Sequence, residues 1–406
     1  MAVTLEHIDI YSPDVYVDAP PHEAFAYLRR EQPVFRQAMP DGTWYWAVLK
    51  HADVVEVSRN PLLYSAEIGS VVLEDQPPEQ LEQTKNMLLM MDPPRHSELR
   101  KNVYPHFRPR QIGKLEDQIR AIVRGILDKG MEMGEVEFVH ELAALVPSEV
   151  FGEMMGIPSE DRAQINRWAE MMTGGQDPEV NPTGYTQTGG SDANMQMAMY
   201  GIEFAKSRRG HEADDLGALL LATEVEGREM TDLEFGFFFV QLVTAGNDTT
   251  RTMISSGLLS LIENPGELAR LRADRSLVPT AVEEILRHAN PLHYFRRTAT
   301  SDATLRGQEI KNGDKLGMIY TSANRDEDVF PEPDRFDAGR DPNPHLSFGI
   351  GEHYCLGVHL ARLEGRVFLQ ELLDRVGMIE LAGEPRRQRS NLNNALKSLP
   401  VRLAAS

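Results

Sequence analysis

Apolar positions recur at helical spacing along most of this chain and at strand spacing only in short runs. Leu356, Leu360, Leu363 and Val367, followed by Leu372, Leu373 and Val376, predict a helix immediately after residue 355. The longest helical run opens at Thr231-Asp232-Leu233-Glu234, which fits a capping box, and ends near Glu263 before Pro265. Roughly 32 residues at 1.5 Å each would span about 48 Å. Its middle, 237–245, reads as apolar on all sides, so this helix should cross the interior. Helical patterns also cover 21–31, 53–57, 95–130, 141–155, about 193–223 and 279–288, whereas 44–49 and parts of 295–318 read as strands. Residues 67–91 and 173–192 read as loops, the second suited to a mobile lid, and 325–345 is Asp/Pro/Arg-rich and irregular. No repeat or linker divides the chain. The pattern predicts a mainly α fold with minor β (α+β), one domain over 1–406, built on one long central helix.

Composition narrows what such a fold does. Hydrophobic residues at 41% and charged residues at 26% describe a soluble globular protein. A formal charge of −20 argues against a nucleic-acid partner and against attraction to anionic membranes. One cysteine forbids an internal disulfide and fits a reducing cytosol. No signal pattern opens the chain and no stretch of about 18–20 apolar residues occurs, so the expectation is a cytoplasmic protein without a membrane anchor.

The cysteine lies in Phe348-Gly349-Ile350-Gly351-Glu352-His353-Tyr354-Cys355-Leu356-Gly357. Its glycines permit a tight loop, and the helix that follows offers free N–H groups and a dipole that favour a thiolate. A lone cysteine is as often an inert buried residue. A thiolate held this way is a metal ligand or a nucleophile, and no Ser/Cys-His-Asp arrangement supports the second role. The run Phe-x-x-Gly-x-x-x-Cys-x-Gly, with His353 two residues before the cysteine, resembles the haem-ligand loop of the cytochrome P-450 family, soluble bacterial type. The resemblance implies the fold of that family, with the long helix passing over haem b. It also implies Cys355 as the iron ligand, Phe348 beside the cofactor, and dioxygen as co-substrate.

Three further runs carry the same resemblance. Ala245-Gly246-Asn247-Asp248-Thr249-Thr250 resembles the family's bend over the haem. There Ala245 and Gly246 leave room for dioxygen, Thr249 hydrogen-bonds it, and Asp248 relays protons from solvent. Dioxygen activation does need protons, and a hydroxyl beside a titratable group supplies them. The plainer alternative pairs Asp248 with Arg251 on a solvated turn. Glu284-Ile285-Leu286-Arg287 resembles the family's Glu-x-x-Arg, with Arg335 as the third member of a structural network. His96, Arg100, Arg297 and His353 match positions that bind the haem propionates; the neighbouring Arg296 leaves open which arginine of the pair points inward.

The resemblance, which covers nearly the whole chain, implies a haem-dependent monooxygenase acting on a hydrophobic small molecule. Sterols, terpenoids or branched lipids are favoured, and a polyketide or other secondary metabolite is the alternative. The wall expected for that guest is rich in methionine, including Met87, Met90, Met171, Met172, Met195 and Met199. A haem-thiolate sensor or electron carrier would need no acid–alcohol pair. The chain carries no flavin or iron–sulfur domain, so electrons from NAD(P)H would arrive through a ferredoxin reductase and a ferredoxin. The basic stretch 95–114, extended by Arg362 and Arg366, is the expected docking face.

Overall fold

The computed structural model describes residues 8–182, 189–210, 215–225 and 227–405. The helix Asp232–Glu263 runs through its middle. Thr231 caps it: the Glu234 N–H donates to the Thr231 hydroxyl, and the Thr231 N–H donates to the Glu234 carboxylate. Helices Gly189–Arg208, Ser159–Thr173, Leu145–Met155 and Val278–Ala289 pack around it, burying Phe235, Phe238, Phe239 and Val243 on one stretch and Ile254, Leu258 and Leu261 on the next. Burial on every side explains why the apolar residues of this helix show little one-sided pattern.

The helix expected over 95–130 is divided into Arg95–Val103, a 3-10 turn Tyr104–Phe107, the short Pro109–Ile112 and Glu116–Met133. Pro105 and Pro109 each lack an amide hydrogen and start new turns. The break lets Arg95–Val103 lie against the cysteine loop on its own axis. The segment read as loop over 67–91 contains a helix, Pro78–Thr84, and a turn at Leu88–Met90. The helix expected at about 193–223 is two, Gly189–Arg208 and Leu216–Leu221. Residues 183–188, part of the predicted lid loop, lie outside the described residues.

A five-stranded sheet orders Val34–Ala38, Trp44–Val48, Lys315–Ile319, Tyr294–Ala299 and Tyr64–Ser65. Successive strand side chains point to opposite faces, so Arg296 and Arg297 must diverge. A smaller sheet joins Val376–Leu381, Pro400–Ala405 and Glu135–Glu137. Among the described residues no helix is long and apolar enough to cross a membrane.

Candidate functional site

The cysteine loop folds on its glycines. Gly349 and Gly351 have φ of 66° and 79°, and a side chain on Gly351 would come within 2.7 Å of the Ser58 carbonyl oxygen. The Cys355 N–H donates to the Phe348 carbonyl at 2.9 Å, closing the loop, while the Arg362 guanidinium covers the Phe348 ring at 4.9 Å. The following helix, Val358–Arg375, begins three residues after the thiol. Burial pushes the Cys355 thiol up; the Gly357 N–H and the charges of Arg100 and Arg362 oppose it without prevailing. The helix start alone therefore does not make the thiolate expected from sequence, and a cation at the sulfur has to supply the rest.

Cys355 faces a large cleft whose far wall is the central helix at Gln241, Ala245, Gly246 and Thr249. A side chain added at Gly246 would meet no protein atom within 4 Å. His96, Arg100, Arg297 and His353 line the same cleft. Arg100 and Arg297 bring two guanidinium charges to this wall, and the two histidines bring imidazoles. Arg297, 4% exposed, donates to the Arg296 carbonyl, and Arg100 donates to the Tyr354 carbonyl. Both ring nitrogens of His96 and Nε2 of His353 have no hydrogen-bond partner; the Glu352 carboxylate stands 4.0 Å from His96 Nδ1. The two rings lie 4.2 Å apart. Burial, then Arg100 and Arg297, lower His96 to about 4; burial, then Arg297, His96 and Arg100, lower His353 to about 2. Buried donors without acceptors are costly, so this wall is shaped for an anion. Arg296 points the other way, onto Asp75 at 2.8 Å, which resolves the doubled arginine in favour of Arg297. An apolar floor and ceiling, a thiol on one side, and two guanidinium groups with imidazole nitrogens that lack partners at the edge fit a haem with its two propionates.

On the opposite wall the Thr249 hydroxyl lines the cleft and donates back to the Ala245 carbonyl at 2.6 Å. Asp248 turns away from the cleft and is 6% exposed. Its Oδ1 meets Arg251 at 2.7 Å, Arg251 meets Glu170 at 2.9 Å, and Glu170 lies 3.4 Å from the partly exposed His140. The Asp248–Arg251 pair is thus real but buried, where the plainer sequence alternative had it solvated. Burial pushes the Asp248 carboxyl up against the pull of Arg251 and a hydrogen bond from Thr173. Glu364 lines the same cleft, is 3% exposed, and its one hydrogen bond, at 3.5 Å, comes from Thr250. Burial raises it to about 8. Arg251 entered the sequence reading only as a surface partner of Asp248, and Glu364 did not enter it.

The Glu284–Arg287 pair is fully buried and bidentate, at 2.7 and 2.8 Å. The third member is not Arg335. That side chain turns outward to Glu332 at 3.0 Å and contributes only its backbone carbonyl, which accepts from Arg287 and Arg340. Arg340 holds the place instead, its Nε 3.1 Å from both Glu284 oxygens. The network reaches the cysteine loop through Asn324, whose carbonyl accepts from Arg287 and whose side chain accepts from the Leu346 N–H.

The expected methionine wall does not form. Met195 and Met199 are 45% and 49% exposed, and the methionines that line the cleft are Met154 and Met253.

Residues 197–393 match the family model for cytochrome P-450. A steroid C26-monooxygenase of Rhodococcus jostii (strain RHA1) is 36% identical over 98% of this chain and 84% of its own length. A linalool 8-monooxygenase of Pseudomonas putida is 35% identical over 98% and 99%. Among solved structures, Mycobacterium marinum cytochrome P-450 CYP268A2 in complex with pseudoionone has a TM-score of 0.92, 37% identity and 99% coverage of each chain.

Proposed function

This chain belongs to the cytochrome P-450 family, and from that premise we propose that it is a monooxygenase that inserts one atom of dioxygen into an apolar small molecule, sterols, terpenoids and branched lipids being the favoured class. Haem b ligated by a thiolate, when bound, supplies dioxygen activation with electrons delivered by a redox partner. The observation that carries the reading is the single thiol, two guanidinium groups and imidazole nitrogens without partners sharing one otherwise apolar cleft.

Cys355 is the iron ligand in this reading, and Gly357 and Arg100 help hold it deprotonated. His96, Arg100, Arg297 and His353 take the propionates, which give His96 and His353 the partners they lack. Thr249 presents a hydroxyl to the cleft, and on giving up its bond to the Ala245 carbonyl it would be able to donate a proton to a molecule bound there. Asp248 holds the next proton. Its Oδ1 is held by Arg251, a fixed cation that Glu170 positions from the side of the partly exposed His140. That acid–alcohol arrangement favours catalysis over a sensor or electron-carrier role. The electrons come from NAD(P)H through a ferredoxin reductase and a ferredoxin.

The test is optical. Reduced holoprotein under carbon monoxide is expected to show the far red-shifted Soret band of thiolate ligation, and Cys355→His to lose it. Retention of that band in the variant would overturn the ligand assignment. A spectral-shift screen of sterols, terpenes, branched fatty acids and macrolides then identifies the class of guest.

A further inference from the structure

One polar side chain of the cleft has no part in these roles. Gln241 lies on the central helix two turns before Thr249 and lines the same cleft. Eight residues of helix separate the two by about 12 Å along the axis. The orientation of the Gln241 amide is set by its neighbour, because the Leu89 backbone N–H donates to Gln241 Oε1 at 3.3 Å. An N–H needs an acceptor, so the oxygen must be the end facing Leu89. The Nε2 hydrogens have no acceptor among the described residues, and this nitrogen is not one of the atoms sealed without a partner inside the protein. It therefore has access to the cleft or to its water.

The surroundings are apolar: Leu88, Leu242, Leu292 and Phe295 line the cleft with it. A wetted donor costs nothing there. When an apolar guest expels the water, the donor is left unpaired unless the guest brings an acceptor. A site with a committed donor discriminates against an analogue that lacks the matching oxygen. The donor is a neutral amide, which suits a neutral carbonyl better than a carboxylate, whose natural partner is a cation.

We propose that Gln241 is a specificity-determining residue, its Nε2 donating to a ketone oxygen on the substrate at the end remote from the carbon oxidised near Thr249. The substrate is then an elongated apolar ketone. This rests on the monooxygenase reading and names the polar end of the guest for that same site. Gln241 has a second effect through Oε1, since it pins the Leu88–Met90 turn to the central helix.

Two substitutions separate the effects. Gln241→Glu, measured at about pH 9 so that its carboxyl is ionised, keeps an acceptor for the Leu89 N–H and removes the donor, whereas Gln241→Leu removes both. The probes are methyl ketones of roughly eight to fourteen carbons, bracketing the helical span, and the n-alkanes of equal length. Dissociation constants are measured by calorimetry on the haem-loaded protein. Wild type is expected to bind the best-fitting ketone about tenfold more tightly than its alkane, and both variants to bring that ratio within about threefold. Hydroxylation, confined to a few carbons at fixed distance from the carbonyl in wild type, should spread along the chain in both. A ratio lost in Gln241→Leu but kept in Gln241→Glu would overturn the donor role and leave only the pinning of the turn. No ketone preference in wild type at any length would overturn the substrate class. An absent thiolate Soret band would instead sink the monooxygenase reading beneath both.

Discussion

Asp248 and Thr249 are neighbours in sequence that face opposite surroundings, one a buried ion pair and the other the cleft. Thr249→Ala should retain haem and substrate binding while product formed per NAD(P)H consumed falls several-fold and hydrogen peroxide rises, because the hydroxyl that hands on the proton is gone. Asp248→Asn should keep coupling near wild type but slow turnover by about tenfold or more, since the titratable group is lost. Unchanged coupling in Thr249→Ala would remove the alcohol from the chemistry. Glu364 offers a stability test. Its carboxyl, ordinarily near 4.5, is raised to about 8 by burial, so the folded state holds this proton more tightly than the unfolded state. Its stabilisation is complete below the ordinary value and is lost as pH rises toward 8, at about 1.4 kcal/mol per pH unit. Glu364→Gln keeps a partner for Thr250 without the charge. Melting temperatures of holoprotein taken between about pH 5 and pH 8 should therefore diverge, the variant gaining on wild type as pH rises; parallel curves would show that Glu364 is solvated. Single residues were legible in sequence only where a motif names them. Cys355 and Thr249 were visible, but Gln241 was hidden by reading 237–245 as uniformly apolar. Nothing local in the sequence tells that Glu364 is buried at the wall of the cleft.

At the scale of elements, the long helix was legible almost to the residue, because capping box, periodicity and terminal proline agree at Thr231, Asp232–Glu263 and Pro265. The irregular segment after it was not. Arg335 and Arg340 both occur in a stretch without periodicity, so no spacing rule says which turns inward; the backbone path decides, and it points Arg340 at Glu284. That difference is measurable. Arg340 is 9% exposed and Glu284 fully buried, so Arg340→Ala should cost about 3 kcal/mol, the lower end for breaking a buried pair, because Arg287 remains. Haem should be lost from this variant at lower temperature or denaturant. Arg335→Ala, which removes an exposed pair, should stay within about 0.5 kcal/mol of wild type. Equal losses in both variants would return Arg335 to the network. The methionine wall failed for a related reason: composition counts methionines but does not orient helix Gly189–Arg208, which exposes Met195 and Met199.

Over the whole molecule, the net charge of −20 makes any basic area stand out, and the cysteine loop lies beside one. Arg100 reaches the Tyr354 carbonyl from helix Arg95–Val103, and the short helix Pro109–Ile112 packs against Val358–Arg375, which follows the thiol. Lys101, Arg110 and Arg366 are exposed on these elements, and Arg108 and Lys114 are exposed on either side of Pro109–Ile112. Arg362, which the sequence reading added to the area, is instead bound to Glu283 at 2.7 Å and stacked on Phe348. It is a poor probe of docking, since reversing its charge would disturb the loop itself. Electron transfer falls steeply with distance, so a donor gains most by approaching the face nearest the sulfur, and a basic island there suits an acidic ferredoxin. Exposed charges of this kind act through the long-range field, raising the association rate more than the final affinity and fading as salt shortens the Debye length to about 8 Å at physiological ionic strength. Ferredoxin-driven reduction of the wild-type haem protein should therefore slow steadily with added salt. Arg110→Glu and Arg366→Glu should slow it several-fold at low salt, converge with wild type at high salt, and leave reduction by dithionite unchanged. Rates indifferent to both salt and charge reversal would place the electron entry on another face.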